Sequence, residues 1–565
     1  MKYIIVKQVL YHIILIILYL QICCYVNIIA STSTRKNNNN KIYVDSSVGR
    51  FVLPDKREAT FHGICLTESS TLQTVSGLVN ITDEKAAMLK NLGFNIIRIG
   101  FHWNLYEISP NIFNETYMIE LENLVNRLGN KHDFYIILDM HQDQMSERFC
   151  AGHGIPSFYS TVNLPEYNNN NSKAYPQPVA VPIINKSATE PPFIQCEPFL
   201  HNHHGSAVSL YTYYLGKAFQ NLYDNVNGAL DAYGRFWKKV ASKFVNNKYI
   251  FAYEILNEPW YGEIPILNDN LPGGVDGYSV NDTLYFAKYN VKNLQNKLNI
   301  AIHNAIRSID KDTILLFEPA AGGSRYDIMP SGFTKGPGGN AFNDRQAFAY
   351  HLYCANATNG GPWGEGNQED YDVQSSSCAT YVNTSVHIRT NDARKAGSAG
   401  ATIVTEFGCT NNDTVGINAM EKSLSGFESV KNSWTIWSVQ MMHYFQVGGV
   451  PGIKWKASPP PPNFINVLAR PYVRYLANAQ LVNSTYVGEK NLLIFFILPN
   501  FSLPILETEI YFPCSQGRLL NIEFQSKYVS ASVVSFNNIS INYVLKEESN
   551  DYDFDIVVEG IVRCE

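Results

Sequence analysis

Four acidic residues close short apolar runs in this chain: Asp139 in "FYIILDMH", Glu258 in "YIFAYEILNE", Glu318 in "TILLFEP" and Glu406 in "ATIVTEFG". Each run is rich in β-branched and aromatic residues and reads as a strand buried on both faces, so the acid stands where the chain leaves the core. Two carboxylates that face each other suit cleavage of a glycosidic bond. One protonates the leaving oxygen, and the other attacks the sugar carbon and holds a covalent intermediate. A single strand-end acid is explained equally well as a helix cap or as a partner for Arg98. The set Arg98, His141, Asn257, Glu258, His351, Tyr353, Glu406 and Trp437, all at or near run ends, is better explained as a catalytic bowl. The "HNHH" at 201–204 has no matching ligand cluster nearby and reads as a solvated or hydrogen-bonded loop rather than a metal site.

The elements that must position these residues repeat between about residues 57 and 440. The runs are 60–66, 94–101, 134–141, 249–258, 313–319, 347–353, 401–408 and 433–439, with amphipathic segments such as "DEKAAMLKNL" (83–92) and "TYMIELENLVNRLGN" (116–130) between them. Eight such strands alternating with helices predict an α/β fold, a (β/α)8 barrel whose strand ends open into one bowl. Two insertions, 150–210 and 355–395, follow strand ends and read as long loops around that bowl. Beyond "SPPPPN" the pattern changes to short alternating runs from 485 to 565, which predict a C-terminal antiparallel β-sandwich. The expected organisation is a signal over 1–30, a polar Asn-rich linker over 31–50, the barrel over 51–480 and the sandwich over 485–565.

Hydrophobic residues at 45% and charged residues at 17% describe a globular chain with a full core, and a net charge of −6 leaves no basic face for nucleic acid. Lys2 and Lys7 precede an apolar stretch from about Val9 to Ile29, a secretory signal, with an uncleaved anchor as the alternative. Secretion or an endolysosomal lumen is the expected location. Outside the signal lie eight cysteines, an even number consistent with bridges, for which Cys150–Cys196, Cys354–Cys378 and Cys514–Cys564 each bracket a loop-rich segment. Sequons are scattered along the chain, as in a secreted glycoprotein.

The ordered set "FHGI" (61–64), "GFNIIRIGFHW" (93–103), "ILDMHQD" (137–143), "GIPSF" (154–158), "EILNEPW" (254–260), "LLFEP" (315–319), "YHLYC" (350–354), "VTEFG" (404–408) and "RPY" (470–472) resembles the endoglycoceramidases. These are a branch of the retaining glycoside hydrolases of family 5 in clan A, and combine the barrel with a C-terminal β-sandwich. The resemblance implies Glu258 as acid/base, Glu406 as nucleophile, and Asn257 on the 2-hydroxyl of the sugar. It further implies Tyr353 and Arg98 as groups that keep Glu406 ionised, and His351 as a neighbour that sets the protonation of Glu258. His141 with Asp139 or Asp143 would grip hydroxyls of the same sugar. Trp437 would be the platform beneath the ring, with Trp434 as competitor, and Trp260 would wall the cleft. The expected partner is a glycosphingolipid met at a membrane or micelle surface by a monomeric enzyme without metal or organic cofactor. One departure stands out: the family's Asn and Lys after "FHG" are replaced here, in Ile64–Ser69, by residues that include Cys65 and Ser69, so weaker discrimination among distal sugars is expected. Alternatives are a glucosylceramidase, β-glucanase or mannanase on the same barrel, or a non-catalytic glycolipid-binding protein.

Overall fold

The computed structural model describes residues 41–66, 81–149, 152–162, 213–263, 286–321, 327–354, 371–398, 400–408, 414–438, 466–488, 491–503, 506–513, 520–525, 529–537, 540–547 and 558–564. Eight parallel strands close into a barrel in chain order: β1 (His62–Leu66), β2 (Ile96–Phe101), β3 (Tyr135–Met140), β4 (Ile250–Glu254), β5 (Ile314–Phe317), β6 (Gln346–Leu352), β7 (Thr402–Phe407) and β8 (Ser433–Ile436). All eight fall on the eight apolar runs. Their near-continuous burial is the reason the runs do not alternate, because one face lines the barrel and the other meets the surrounding helices. Helix Glu115–His132 shows how the outer ring is punctuated. Asn114 caps it by accepting from Tyr117 N at 3.3 Å, Asp133 ends it in the left-handed region, and Leu121, Leu124, Val125 and Leu128 form its buried stripe.

The N-terminal mouth of the barrel is plugged. Ile42, Val44, Phe51 and Leu53 pack with Phe61, Ile96, Ile137, Phe251 and Ile314, and the Phe51 ring meets Phe251 edge-on at 5.0 Å. The stretch up to residue 50, expected as a linker, thus carries the strand Tyr43–Asp45 paired with Arg50–Val52. These strands and Glu58–Ala59 continue into a seven-stranded sheet with Tyr472–Leu476, Thr508–Tyr511, Ser540–Glu547 and Val529–Asn537. A four-stranded sheet of Ala479–Val487, Leu492–Pro499, Val558–Cys564 and Leu520–Gln525 faces it. Inward residues of the two sheets, among them Val473, Ile510, Ile541, Leu493, Phe495 and Val562, make one core, as in a sandwich.

The 355–395 insertion differs from the expectation of a long loop. Its second half is the helix Tyr371–Lys395, which buries Val382, Val386, Arg389 and Ala393. The spacing of four, three and four puts these on one face, and packing outweighs the poor helix propensity of its Ser, Thr and Asn residues. Cys378 on this helix is bonded to Cys354, as expected. Cys65 is a free, buried thiol. The proposed Cys150–Cys196 and Cys514–Cys564 pairs, the insertion core with "HNHH", and residues 1–40 lie outside the described residues or side chains. No helix among the described residues is long and apolar enough to cross a membrane.

Candidate active site

Arg98 is the hub of the bowl. It sits on β2, fully buried, and its guanidinium reaches four groups. Nε donates to Glu254 at 2.5 Å, Nη1 to Glu406 at 2.5 Å, and Nη2 to Asn257 Oδ1 at 2.7 Å and Asp139 at 3.0 Å. Such a planar fork holds several acceptors in fixed directions, which a lysine could not do. The three carboxylates around Arg98 more than offset its burial and hold its pKa well above the usual range.

Glu406 ends β7 and is nearly buried. Tyr353 donates to its Oε2 at 2.8 Å, and His351 Nδ1 lies 3.3 Å from the same oxygen. The register explains how His351 arrives there. Tyr350 pairs with Val404 but His351 with Glu406, so β7 holds one extra residue, a bulge that brings the strand-end acid level with the histidine. His351 Nδ1 is 2.7 Å from Glu258 Oε1. Glu258 itself has φ of 41°, a left-handed conformation uncommon for a residue with a Cβ, immediately after the buried Asn257. Burial, followed by the charge of Asp143, pushes the Glu258 carboxyl up to about 7. Burial also raises Glu406, opposed by His351 and Arg98, while burial lowers His351.

A second group lines the wall beside this pair. His141 Nδ1 is 2.7 Å from Asp139, and Nε2 is 3.7 Å from Asp143, which lies 3.4 Å from His153. Burial opposes protonation of His141, but the two acids win and hold its pKa well above the ordinary imidazole range. Gly154, at φ 104°, lets the returning loop touch the His141 carbonyl, where a Cβ would fall 2.3 Å from the oxygen. Gln142 donates to the carbonyls of Asn257 and Glu258 at 2.8 and 3.0 Å, and Asn257 returns a bond to the Gln142 carbonyl at 3.0 Å. The Asn257–Glu258 turn is thereby fastened to the β3 loop.

Trp437, half-buried beyond β8, stacks on His141 at 5.2 Å with 18° between planes. Trp434 is fully buried, stacked on His62 at 4.3 Å, so the competition for a ring at the bowl falls to Trp437. Trp260 does not wall the cleft: it is fully buried among core residues and stacks on Tyr261 at 4.2 Å. Cys65 is not on a glycan path either. Its thiol lies inside the barrel, 3.2 Å from the Thr405 carbonyl and 4.0 Å from Arg98, and burial pushes its pKa up. Ser69 lies outside the described residues.

The structure therefore brings together Arg98, Asp139, His141, Asp143, Asn257, Glu258, His351, Tyr353, Glu406 and Trp437. Sequence reasoning missed Glu254, Gln142 and His153. Glu254 carried a signal: a charged residue within a strand otherwise apolar on both faces. Among the described residues, three groups offer His and carboxylate atoms within 4.8 Å of one another: His141/Asp143/His153, Glu254/Glu318/His351 and Glu258/His351/Glu406. The first and third are already held by the contacts above, with Arg98 against Glu406 and a protonated His141, both of which oppose a further cation.

Comparison with known proteins gives the family and the fold. The family model described as cellulase, glycosyl hydrolase family 5, matches residues 57–187 and 199–442. An endoglycoceramidase of Cyanea nozakii is 32% identical over 304 residues, 53% of this chain and 54% of that protein. One of Hydra vulgaris is 32% identical over 273 residues, 48% of this chain and 47% of that protein. The matched part spans about half the length of these relatives. The endo-glycoceramidase II of Rhodococcus sp., solved as a ganglioside GM3 complex, shares the fold at a TM-score of 0.62 and 19% identity, over 90% of this chain and 98% of that one. With the family model covering most of the barrel, the chain belongs to glycosyl hydrolase family 5.

Proposed function

We propose that the protein is a retaining β-glycoside hydrolase of the endoglycoceramidase type, cleaving between oligosaccharide and ceramide. One observation carries the stereochemical part: one oxygen of Glu258 and one of Glu406 lie within 4.8 Å of each other and of a His351 ring nitrogen, so the two carboxyls approach closely. An inverting enzyme needs carboxyls about 6.5–9.5 Å apart to seat a water between acid and base, whereas a retaining pair stands about 5–5.5 Å apart.

Glu258 is the proton donor, since a pKa raised to about 7 leaves a large part of it protonated up to neutrality. Glu406 is the nucleophile. Arg98 and Tyr353 both donate to it, and such bonds favour the charged form, so the one proton of the pair rests on Glu258. Glu406 attacks the anomeric carbon as Glu258 gives its proton to the departing ceramide oxygen. Glu258 then takes a proton from the water that hydrolyses the glycosyl-enzyme, which restores both groups. Asn257, held rigid by Arg98 and Gln142, is placed to bind the 2-hydroxyl. His141 with Asp139 and Asp143 binds further hydroxyls, and Trp437 supplies the ring face.

The glycosphingolipid substrate is supported by the names of the two relatives and by the ganglioside complex of the Rhodococcus protein. The apolar stretch 9–29 supports export to the secretory or endolysosomal lumen, and the enzyme meets its lipid at a membrane or micelle surface. The test is incubation with a ganglioside, lactosylceramide, glucosylceramide and a soluble β-glucan, with products resolved by chromatography. Intact oligosaccharide plus ceramide from the first two is expected. Release of glucose alone from glucosylceramide, or turnover of the glucan only, would reassign the substrate. No turnover of any would refute the enzymatic reading.

A further inference from the structure

Behind His351, on the side away from Glu258, three buried atoms converge without a hydrogen-bond partner: Glu254 Oε1, Glu318 Oε1 and His351 Nε2. Ligand atoms of these residues lie within 4.8 Å of one another, and Glu318 Oε2 is 3.6 Å from His351 Nε2. The charges that face Glu318 come from four places: Arg98 on β2, Glu254 on β4, Glu258 after β4, and His351 on β6. Arg98 is already shared by Asp139, Glu254 and Glu406, and its contact with Glu254 is at the other oxygen. Glu318 has no ion-pair partner among the described residues except His351 at that longer distance.

Two buried carboxylates side by side cannot both be ionised. Their unpartnered oxygens are acceptors only, so the contact becomes a hydrogen bond when one proton enters it. We propose that Glu254 and Glu318 share that proton, with Glu318 as the neutral acid, and that this dyad keeps His351 an uncharged imidazole. The proposal rests on the assignment of Glu258 as proton donor. If the proton sat on His351 instead, an imidazolium would stand 2.7 Å from Glu258 Oε1 and hold that carboxyl ionised, which disables it as an acid. His351 also faces Glu406 at 3.3 Å, with Arg98, Glu254 and Asp139 nearby, while burial lowers its pKa. Glu318 is thus a positioning residue: it never touches the sugar, and as a neutral acid it adds no further negative charge that would draw a proton onto His351. Burial, with Glu254 as the nearest charge, raises Glu318 well above the ordinary range, in the sense the geometry demands. A cation in the same place would have to sit beside the Arg98 guanidinium, which disfavours it.

Two variants and one spectrum test this. Glu318→Gln keeps a neutral donor toward Glu254. It should lower kcat less than about tenfold, with the alkaline limb of the kcat/KM profile within about 0.3 pH units of wild type. Glu318→Leu removes the Glu318 donor from Glu254, leaving it Arg98 and Thr405, and should lower kcat by about a hundredfold at nearly constant KM, the cost of a misplaced catalytic array. In case the leucine variant does not fold, 15N NMR of His351 in wild type and Glu318→Gln decides alone: a neutral ring in both from pH 5 to 8 is expected. An imidazolium in wild type that becomes neutral in the glutamine variant, with the alkaline limb moved by a full unit, would overturn the proposal. So would activity that is lost to a chelator and restored by a divalent cation. Failure of Glu258→Gln to impair turnover in the same assays would instead strike the acid assignment, separately from the dyad.

Discussion

Replacing Arg98 by methionine is the most demanding perturbation of this site. The guanidinium is fully buried and faces carboxylates at 2.5 Å (Glu254), 2.5 Å (Glu406) and 3.0 Å (Asp139). Removing one partner of a buried ion pair costs about 3–5 kcal/mol, because the charge left behind is neither solvated nor paired. Here Asp139 keeps His141, so Glu254 and Glu406 bear the loss. Both would answer by taking up protons, which caps the cost near one such penalty rather than two. The sign with pH follows. Without Arg98 these carboxyls have folded pKa values above their unfolded values of about 4.3. The variant should therefore be closest to wild type below about pH 4.3 and lose stability as pH rises through the raised folded values. Urea unfolding followed by tryptophan fluorescence at pH 5 and 7.5 would measure it. The expected deficit is about 3–5 kcal/mol at pH 7.5 and clearly smaller at pH 5. A deficit below about 1 kcal/mol at both, comparable to an exposed pair, would refute the hub assignment.

The other predictions concern catalysis. Glu258→Gln should lose most turnover of natural glycolipid, yet form the glycosyl-enzyme from a substrate with an activated leaving group, and Glu406→Gln should fail with both; equal residual rates for both variants with both substrates would undo the role assignment. The alkaline limb of kcat/KM should lie near pH 7, because Glu258 must hold its proton and is pushed up to about 7; a rate still rising at pH 9 would contradict this. Proton NMR of the first-formed sugar should show the β anomer before mutarotation, and α first would mean inversion. Trp437→Ala should raise KM by about five- to tenfold, on the scale of about 1–1.5 kcal/mol for a stacking face, whereas Trp434→Ala should cost about 3–5 kcal/mol of stability as a core truncation.

The barrel was legible because each strand is buried on both faces, so every run stood out as apolar, and four of them closed on an acid at the bowl. Glu258 and Glu406 could be picked from their run ends. Their link through His351 could not, because it depends on the one-residue bulge at Thr405, which leaves no trace in composition. Glu254 was overlooked for a related reason: a buried acid inside a strand makes sense only when Arg98, 156 residues earlier, is seen beside it. Trp260 misled because an aromatic after Pro259 looks like a rim residue, and only its packing in the folded chain shows it as core. The N-terminal strands had no periodicity long enough to read; each is two or three residues and gains its stability from plugging the barrel.

The central claim, that Glu406 attacks the sugar while Glu258 supplies the proton, is tested most directly by trapping. Incubation with an activated 2-deoxy-2-fluoro-β-glycoside, which slows both steps but less the first, should leave a covalent adduct found by peptide mass spectrometry. One sugar on the peptide containing Glu406 is expected, formed with loss of activity and also formed in the Glu258→Gln variant. An adduct on any other residue, or inactivation without an adduct, would contradict it.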